Sequence, residues 1–211
     1  GGLDFTLRQP MGVVACIVPW NFPFPIASWK AAPALAAGNC VILKPASLSP
    51  LTAIKLGELA HQAGLPAGVL QVIPGPGGAI GEALITHPLI RKVSLTGSTE
   101  VGRRAMELAA RDFKRVSLEL GGKSPNIVFA DADWQTAAET STMSVFANTG
   151  QDCCARSRMF VERGIYDSFV EKFVAATKKL IVGDPLKAET QLGPMVSASQ
   201  RSSVEEFLAD A

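Results

Sequence analysis

The sequence predicts an α/β fold: an open, mostly parallel sheet with flanking helices, followed by the first part of a second α/β domain. Three observations predict it. Short β-branched runs alternate with helical patterns along the first half, which is the order of βαβ units. Those runs are apolar on both faces, as strands covered by helices on both sides must be. Hydrophobic residues make up 47% of the 211 and charged residues 18%, which supplies a core and excludes a disordered chain.

The elements follow in order. Residues 13–18 (VVACIV) predict a buried strand ended by Pro19. Residues 26–37 predict a helix stopped by Gly38-Asn39. Residues 40–44 predict a second strand. Ser49 or Thr52 caps the next helix, which carries Ile54, Leu56, Leu59 and Ala60 and runs to about Gly64. A strand over 69–73, a Pro/Gly turn at 74–78 and a short helix near 79–86 come next. A strand over 92–96 leads through Gly97 into a helix over 99–111, and a strand over 114–119 ends at Gly121-Gly122. That glycine pair marks the expected domain boundary, dividing 1–120 from 121–211. Beyond it the pattern predicts a strand over 126–129, a helix over 133–148, a strand over 158–162 and an amphipathic helix over 165–180. A Pro/Gly-rich loop over 181–195 precedes a last helix capped by Ser197 or Ser199.

Charge excludes several classes of partner. Lys+Arg (20) balances Asp+Glu (19) to a net +1, so nothing advertises nucleic acid or an anionic membrane. The apolar stretches are short and broken by Pro or Gly, and residues 1–10 lack the pattern of a signal peptide. The chain opens on Gly rather than Met, so the natural N-terminus is expected to lie outside it. Of the four cysteines, Cys16 and Cys40 read as buried filler in strands. No CxxC spacing occurs and His61 and His87 do not cluster with the cysteines, so neither a structural zinc site nor a disulfide framework is expected.

Five places carry candidate chemistry. Cys153 follows Asn148-Thr149-Gly150-Gln151-Asp152 in a glycine-containing turn, where backbone N–H groups can stabilise a thiolate nucleophile; a structural loop cysteine is the alternative. Glu119 ends a strand, where it is either a desolvated general base or paired with Lys123. Asn21 is pinned between Pro19 and Pro23 after a strand, suited to hold an oxyanion or simply a turn. Gly97-Ser98-Thr99-Glu100-Val101-Gly102 opens a helix whose N–H groups and dipole suit a phosphate, although it is not the G-x-G-x-x-G fingerprint. Lys44, at another strand end, either reaches the same ligand or is a solvated face residue.

In this order the elements resemble the aldehyde dehydrogenase superfamily: PWNFP at 19–23, Lys44-Pro45-Ala46-Ser47, GSTEVG at 97–102, ELGGKSP at 119–125 and N-x-G-Q-x-C at 148–153. The resemblance implies a Rossmann-like cofactor domain over 1–120 and a partial catalytic domain over 121–211. It implies that Cys153 attacks an aldehyde, and that Asn21 with the Cys153 N–H holds the oxyanion of the thiohemiacetal. Glu119 would hydrolyse the resulting thioester, and Lys30 matches a residue of a proton path. Trp20, Lys44, Ser47, Gly97, Ser98, Glu119 and Leu120 match cofactor positions. Phe22, Ile26, Trp29, Asp152 and Cys154 match positions along the aldehyde tunnel. Many NAD-specific members carry Glu where this chain has Ser47, so NADP is expected alongside NAD. The surrounding pattern leans towards succinate-semialdehyde-type members.

The family's members are more than twice this length, and the Glu-Ile-Phe-Gly-Pro-type element that grips the nicotinamide ribose has no counterpart here. The chain is therefore expected to be a fragment, doubtful in activity alone, of a cytoplasmic homodimer or homotetramer in a reducing compartment. A cofactor-binding module without turnover, and a cysteine hydrolase or acyltransferase without nicotinamide, are the competing readings.

Overall fold

The computed structural model describes residues 2–210. They divide into two compact units at Leu120/Gly121. In the first, β1 (Val13–Ile17), β2 (Cys40–Lys44), β3 (Leu70–Val72), β4 (Ile90–Gly97) and β5 (Arg115–Leu120) form a parallel sheet in the order β3-β2-β1-β4-β5. The helices between them are α1 (Pro23–Ala36), α2 (Leu51–Gln62), α3 (Gly77–Thr86) and α4 (Thr99–Ala110). The chain builds outward from β1 to β3, then returns through α3 to lay β4 on the other side of β1. The carboxyl ends of β1 and β4 therefore flank a switch point, where open α/β sheets bind ligands.

Strand alternation divides the core between the two faces of the sheet. Val14, Cys16, Val18, Val41 and Leu43 pack against Ile26, Ala27, Ala31 and Ala53 of α1 and α2. Ala15, Ile90, Val93 and Leu95 pack against Leu84, Ile85, Ala105, Leu108 and Ala109 of α3 and α4. The expectation of strands buried on both faces fails at β5. As an edge strand it sends Val116, Leu118 and Leu120 to the core and leaves Arg115, Ser117 and Glu119 exposed.

Several boundaries move for local reasons. α1 starts three residues early because Pro23 fits the first helical turn, where its missing N–H costs nothing. Neither Ser49 nor Thr52 caps α2: the N-cap is Pro50, and Ser49 Oγ donates to the Trp20 carbonyl at 3.3 Å. Cys40 is exposed rather than buried, because it opens β2 at the uncovered amino end of the strand. Asn39 does more than stop a helix. Its Oδ1 accepts the Met11 and Gly12 N–H groups at 2.6 and 3.1 Å, and its Nδ2 donates to the Ala34 carbonyl at 2.9 Å.

In the second unit, β6 (Pro125–Val128) pairs in parallel with β7 (Arg158–Val161). α5 (Trp134–Phe146) and α6 (Tyr166–Thr177) supply its core, in which Val128, Ala138 and Phe169 are buried and the Phe169 and Phe173 rings stack at 6.4 Å. α5 stops two residues short of expectation, because Asn148 and Thr149 take left-handed backbone angles. α6 ends at Thr177, three residues early. A bridge between Val182 and Leu192 closes the following loop, and Ser197 caps α7 (Ala198–Ala209) by accepting the Gln200 N–H. Among the described residues no helix is long and apolar enough to cross a membrane.

Candidate active site

A cavity of about 550 Å³ opens at the switch point of the first unit. Ile17, Val18 and Trp20 line it after β1, Lys44, Ala46 and Ser47 after β2, and α3 and α4 form its walls. Gly78 and Gly81 of α3 face this space: a Cβ built on either meets nothing within 4 Å, although Gly81 is buried. Opposite them stand Val101, Arg104 and Ala105 of α4. Arg104 reaches back to Glu82 with two bonds, Nε at 2.8 Å and Nη2 at 3.1 Å, and joins the two helices beside the cavity.

Lys44 is not a solvated face residue. It is 2% exposed, and its Nζ donates to the Pro45 carbonyl at 2.8 Å. Burial pulls its ammonium below the usual lysine range. Its Nζ lies 3.9 Å from a Cβ built on Gly77, at the opening of α3. Ser47 is exposed, and its hydroxyl donates to the Gly75 carbonyl at 2.7 Å. A mostly apolar slot, glycines that leave room for a flat ring, and a cation at a strand end together suit a ligand that carries an apolar ring beside a polar or anionic group.

The turn at 97–102 is more committed than its sequence suggests. Ser98 is the N-cap of α4 and its Oγ accepts the Val101 N–H at 3.2 Å. Hydrogen bonds from its own backbone N–H and from the Ser98 side chain hold the Glu100 carboxyl below the usual range. Two of the groups expected to wait for a phosphate are thus already engaged. Gly97 ends β4, and Gly102 lets α4 settle onto β5. A Cβ on Gly102 would fall 2.6 Å from Leu120 Cδ2 and 2.7 Å from Cδ1.

On the face of β4 turned towards α1, Lys30 Nζ donates to Ser94 Oγ at 3.0 Å, and Lys92 Nζ bonds Ser117 Oγ at 2.6 Å. Burial pulls the Lys30 ammonium below its ordinary value; Cys16 and Glu119 act against that shift and Lys92 adds to it. Thr96 is the register partner of Glu119. Among the described residues its buried Oγ1 has no hydrogen-bond partner. Glu119 itself is exposed rather than desolvated, because it points away from the core on the edge strand. Asn21 is half-buried in the bend between β1 and α1. Phe22 packs partly buried against the core that encloses Ile26, whereas Trp29 is 74% exposed.

In the second unit, Asn148, Thr149 and Gly150 have φ of 52°, 60° and 73° in succession. A β-branched residue there is strained, at about 1–3 kcal/mol, and persists only when neighbours hold it. The neighbours are identifiable. Thr149 Oγ1 donates to the Gly193 carbonyl at 2.9 Å. Gln151 Nε2 donates to the Asn148 carbonyl at 3.0 Å, and its Oε1 accepts the Val196 N–H at 2.9 Å. Cys153 follows this locked turn, half-buried, with Cys154 exposed beside it and the Asp152 carboxylate accepting the Cys154 N–H at 2.8 Å. Burial, then the hydrogen bond with Cys154, pushes the Cys153 thiol up; its own backbone N–H opposes this more weakly. The expected stabilisation of a thiolate by backbone N–H groups is therefore outweighed in this chain. A Cβ on Gly122 would lie 3.2 Å from the Cys153 carbonyl oxygen, so the backbone passes close behind the turn.

Residue-by-residue reading missed the cavity walls, Gly77, Gly78 and Gly81 on one side and Val101 and Arg104 on the other. The available signal was the glycine content of 77–81. Glycine inside a helix costs about 1 kcal/mol against alanine, so three in five positions mark a surface that needs room. Thr96 carried no sequence signal at all.

The profile described as the aldehyde dehydrogenase family matches residues 1–211. A succinate-semialdehyde dehydrogenase [NADP(+)] of Escherichia coli (strain K12) is 50% identical over 205 residues, covering 97% of this chain and 42% of the relative. A glutarate-semialdehyde dehydrogenase of Pseudomonas putida is 49% identical, covering 97% of this chain and 43% of the relative. Among solved structures, an NADP-dependent enzyme of E. coli superposes with a TM-score of 0.94 at 51% identity, over 96% of this chain and 42% of that one. An indole-3-acetaldehyde dehydrogenase complexed with NAD+ superposes with a TM-score of 0.94 at 48% identity, over 96% and 41%. The chain thus spans about two-fifths of the length of these relatives.

Proposed function

Since the chain belongs to the aldehyde dehydrogenase family, we propose that the protein oxidises an aldehyde to a carboxylic acid with NAD or NADP through a cysteine thioester. One observation carries this reading. The first unit holds a cavity of about 550 Å³ at its switch point, and in the second a half-buried cysteine follows a strained, side-chain-locked turn.

In this reading Cys153 Sγ attacks the aldehyde carbon, and Asn21 Nδ2 with the Cys153 N–H holds the oxygen as it takes up negative charge. A nicotinamide dinucleotide, when bound, would supply a hydride acceptor. Glu119 takes a proton from the water that releases the acid, and Lys30, held by Ser94, stands on the same face of the sheet to pass that proton on. The α3–α4 slot takes the adenosine, Lys44 and Ser47 the ribose, and Ser98 with Gly97 the phosphates. Ser47 places no carboxylate at the ribose, so NADP is accepted. The proposed substrate is a semialdehyde, a reading supported by the names of two of the relatives. The proposed setting is a cytoplasmic homodimer or homotetramer, a reducing compartment keeping Cys153 as a thiol.

The test is Cys153→Ala in the purified protein, followed by the absorbance of the reduced cofactor on adding aldehyde. Turnover disappears, and alkylation of the wild-type thiol has the same effect; unchanged turnover in the variant refutes the assignment. A second reading has its own support. All residues lining the switch-point cavity lie between Ile17 and Ala105 in the first unit, so it can hold a cofactor without the cysteine of the second, which favours cofactor binding without turnover by the 211-residue chain alone. Protection by NADP against heating, with no reduced cofactor formed, is its signature.

A further inference from the structure

Cys153 and Cys154 place two sulfurs side by side although they are consecutive residues. In an extended chain, successive side chains point to opposite faces. The turn at 153–154 instead brings Sγ to within 3.7 Å of Sγ. Asp152 joins them: one of its carboxylate oxygens and both sulfurs lie within 4.8 Å of one another. Cys154 is exposed, and Cys153 and Asp152 are half-buried, so the group opens outward.

The separation suits one chemistry and not another. A disulfide needs sulfurs about 2.05 Å apart and Cα atoms about 4.4–6.8 Å apart, whereas adjacent Cα atoms sit about 3.8 Å apart. A tetrahedral zinc ion with Zn–S near 2.3 Å and Zn–O near 2.0–2.2 Å spaces two sulfur ligands about 3.8 Å apart, and sulfur and oxygen about 3.5 Å apart. The observed 3.7 Å meets the first spacing, and the Asp152 oxygen, which lies within 4.8 Å of both sulfurs, closes in to meet the second.

We propose that Asp152, Cys153 and Cys154 form a binding site for a thiophilic divalent cation such as Zn²⁺, with three protein ligands and an open fourth position. Two S–Zn bonds and one O–Zn bond form, and the two thiol protons pass to solvent. Three anionic ligands then surround a dication. The site differs from a structural zinc centre, whose four ligands announce themselves by CxxC spacing; here a turn assembles the ligands from consecutive residues. The consequence for activity rests on the proposed function: a cation held on Cys153 occupies the sulfur lone pair that attacks the aldehyde, and so acts as a reversible inhibitor.

Zn²⁺ titration of the reduced protein against a chromogenic chelator tests the site, with Co²⁺ as a spectroscopic probe. The expected result is one Zn²⁺ per chain, weakened at least tenfold by Cys153→Ser and by Cys154→Ser and several-fold by Asp152→Asn. Co²⁺ should give a sulfur-to-metal charge-transfer band, and Zn²⁺ should shield both thiols from alkylation. Alkylating the wild-type thiols beforehand repeats the loss without a substitution, so a misfolded variant does not leave the question open. Wild-type affinity in Cys154→Ser, a Co²⁺ spectrum without thiolate ligation, or unaltered binding after alkylation overturns the site. Neither aldehyde nor nucleotide enters these measurements, so their outcome is separate from that of the Cys153→Ala turnover test.

Discussion

Gly81→Leu separates the cavity from the fold by moving stability and binding in opposite directions. Gly81 is a buried helical residue of α3, yet a Cβ at this position meets nothing within 4 Å because it projects into the slot. Replacing glycine inside a helix by leucine stabilises by about 0.5–1 kcal/mol through backbone entropy alone. Covering apolar wall adds to this, and each 1 kcal/mol raises Tm by about 2–4 °C in a protein of this size. The same side chain occupies the space assigned to the adenine ring, so nucleotide affinity falls at least tenfold, about 1.4 kcal/mol or more. The assay is thermal unfolding with and without NADP. Without nucleotide the variant melts above the wild type. At nucleotide near 100 times the wild-type Kd the wild type gains about 2.7 kcal/mol of stability and the variant no more than about 1.4 kcal/mol, so the variant's lead falls by at least about 1.3 kcal/mol. A Gly81→Leu protein that binds NADP like the wild type would refute the placement of the nucleotide between α3 and α4. A variant that melts well below the wild type would refute the claim that the space is open.

Three further outcomes follow from individual contacts. Ser47→Glu breaks the bond to the Gly75 carbonyl and places a carboxylate at the cavity; the ratio of NADPH to NADH dissociation constants should rise at least tenfold, and an unchanged ratio removes Ser47 from the ribose site. Asn39→Ala removes three hydrogen bonds and costs about 2–4 kcal/mol, a fall in Tm of roughly 4–16 °C, while Asn39→Asp, which keeps both acceptor bonds, loses less. These contacts lie at the amino ends of β1 and β2, so nucleotide affinity below the transition stays as it was; a Tm change under about 2 °C contradicts the accounting. Finally, burial pushes the Cys16 thiol up from 9.0 to about 11, so the folded state favours the neutral form. The stability this contributes is whole below pH 9 and disappears between about pH 9 and 11, a change of about 3 kcal/mol. Lys30, shifted downward, works in the opposite sense over the alkaline range. Cys16→Ala should therefore flatten the alkaline fall in Tm relative to the wild type, and an identical pH profile would show that Cys16 does not contribute.

Much of the architecture was legible because its causes are local. The β-branched runs over 13–18, 40–44 and 92–96 and the stops at Gly38 and Gly97 each act within a few residues, and they placed strands and helices with errors of two or three positions. The errors arose where a residue's partner lay elsewhere in the chain. Ser49 was expected to cap α2, but its hydroxyl turns to Trp20, 29 residues away. The helix over 133–148 stops short because contacts with Gly193 and Val196 hold the turn at 148–151 in its left-handed conformation.

By itself the sequence determined the βαβ order, the family, and the short list of residues able to do chemistry, because motifs and hydrophobic period are properties of neighbouring residues. Tertiary structure alone decided the state of those residues. It buried Lys44 and exposed Glu119 and Cys40. It engaged the N–H groups at Ser98, left the Thr96 hydroxyl without a partner among the described residues, and hollowed a slot between two helices that never adjoin in sequence. It also turned Cys153 and Cys154 to the same side. Burial and convergence depend on which distant segments come to lie against a residue, and no local pattern encodes that.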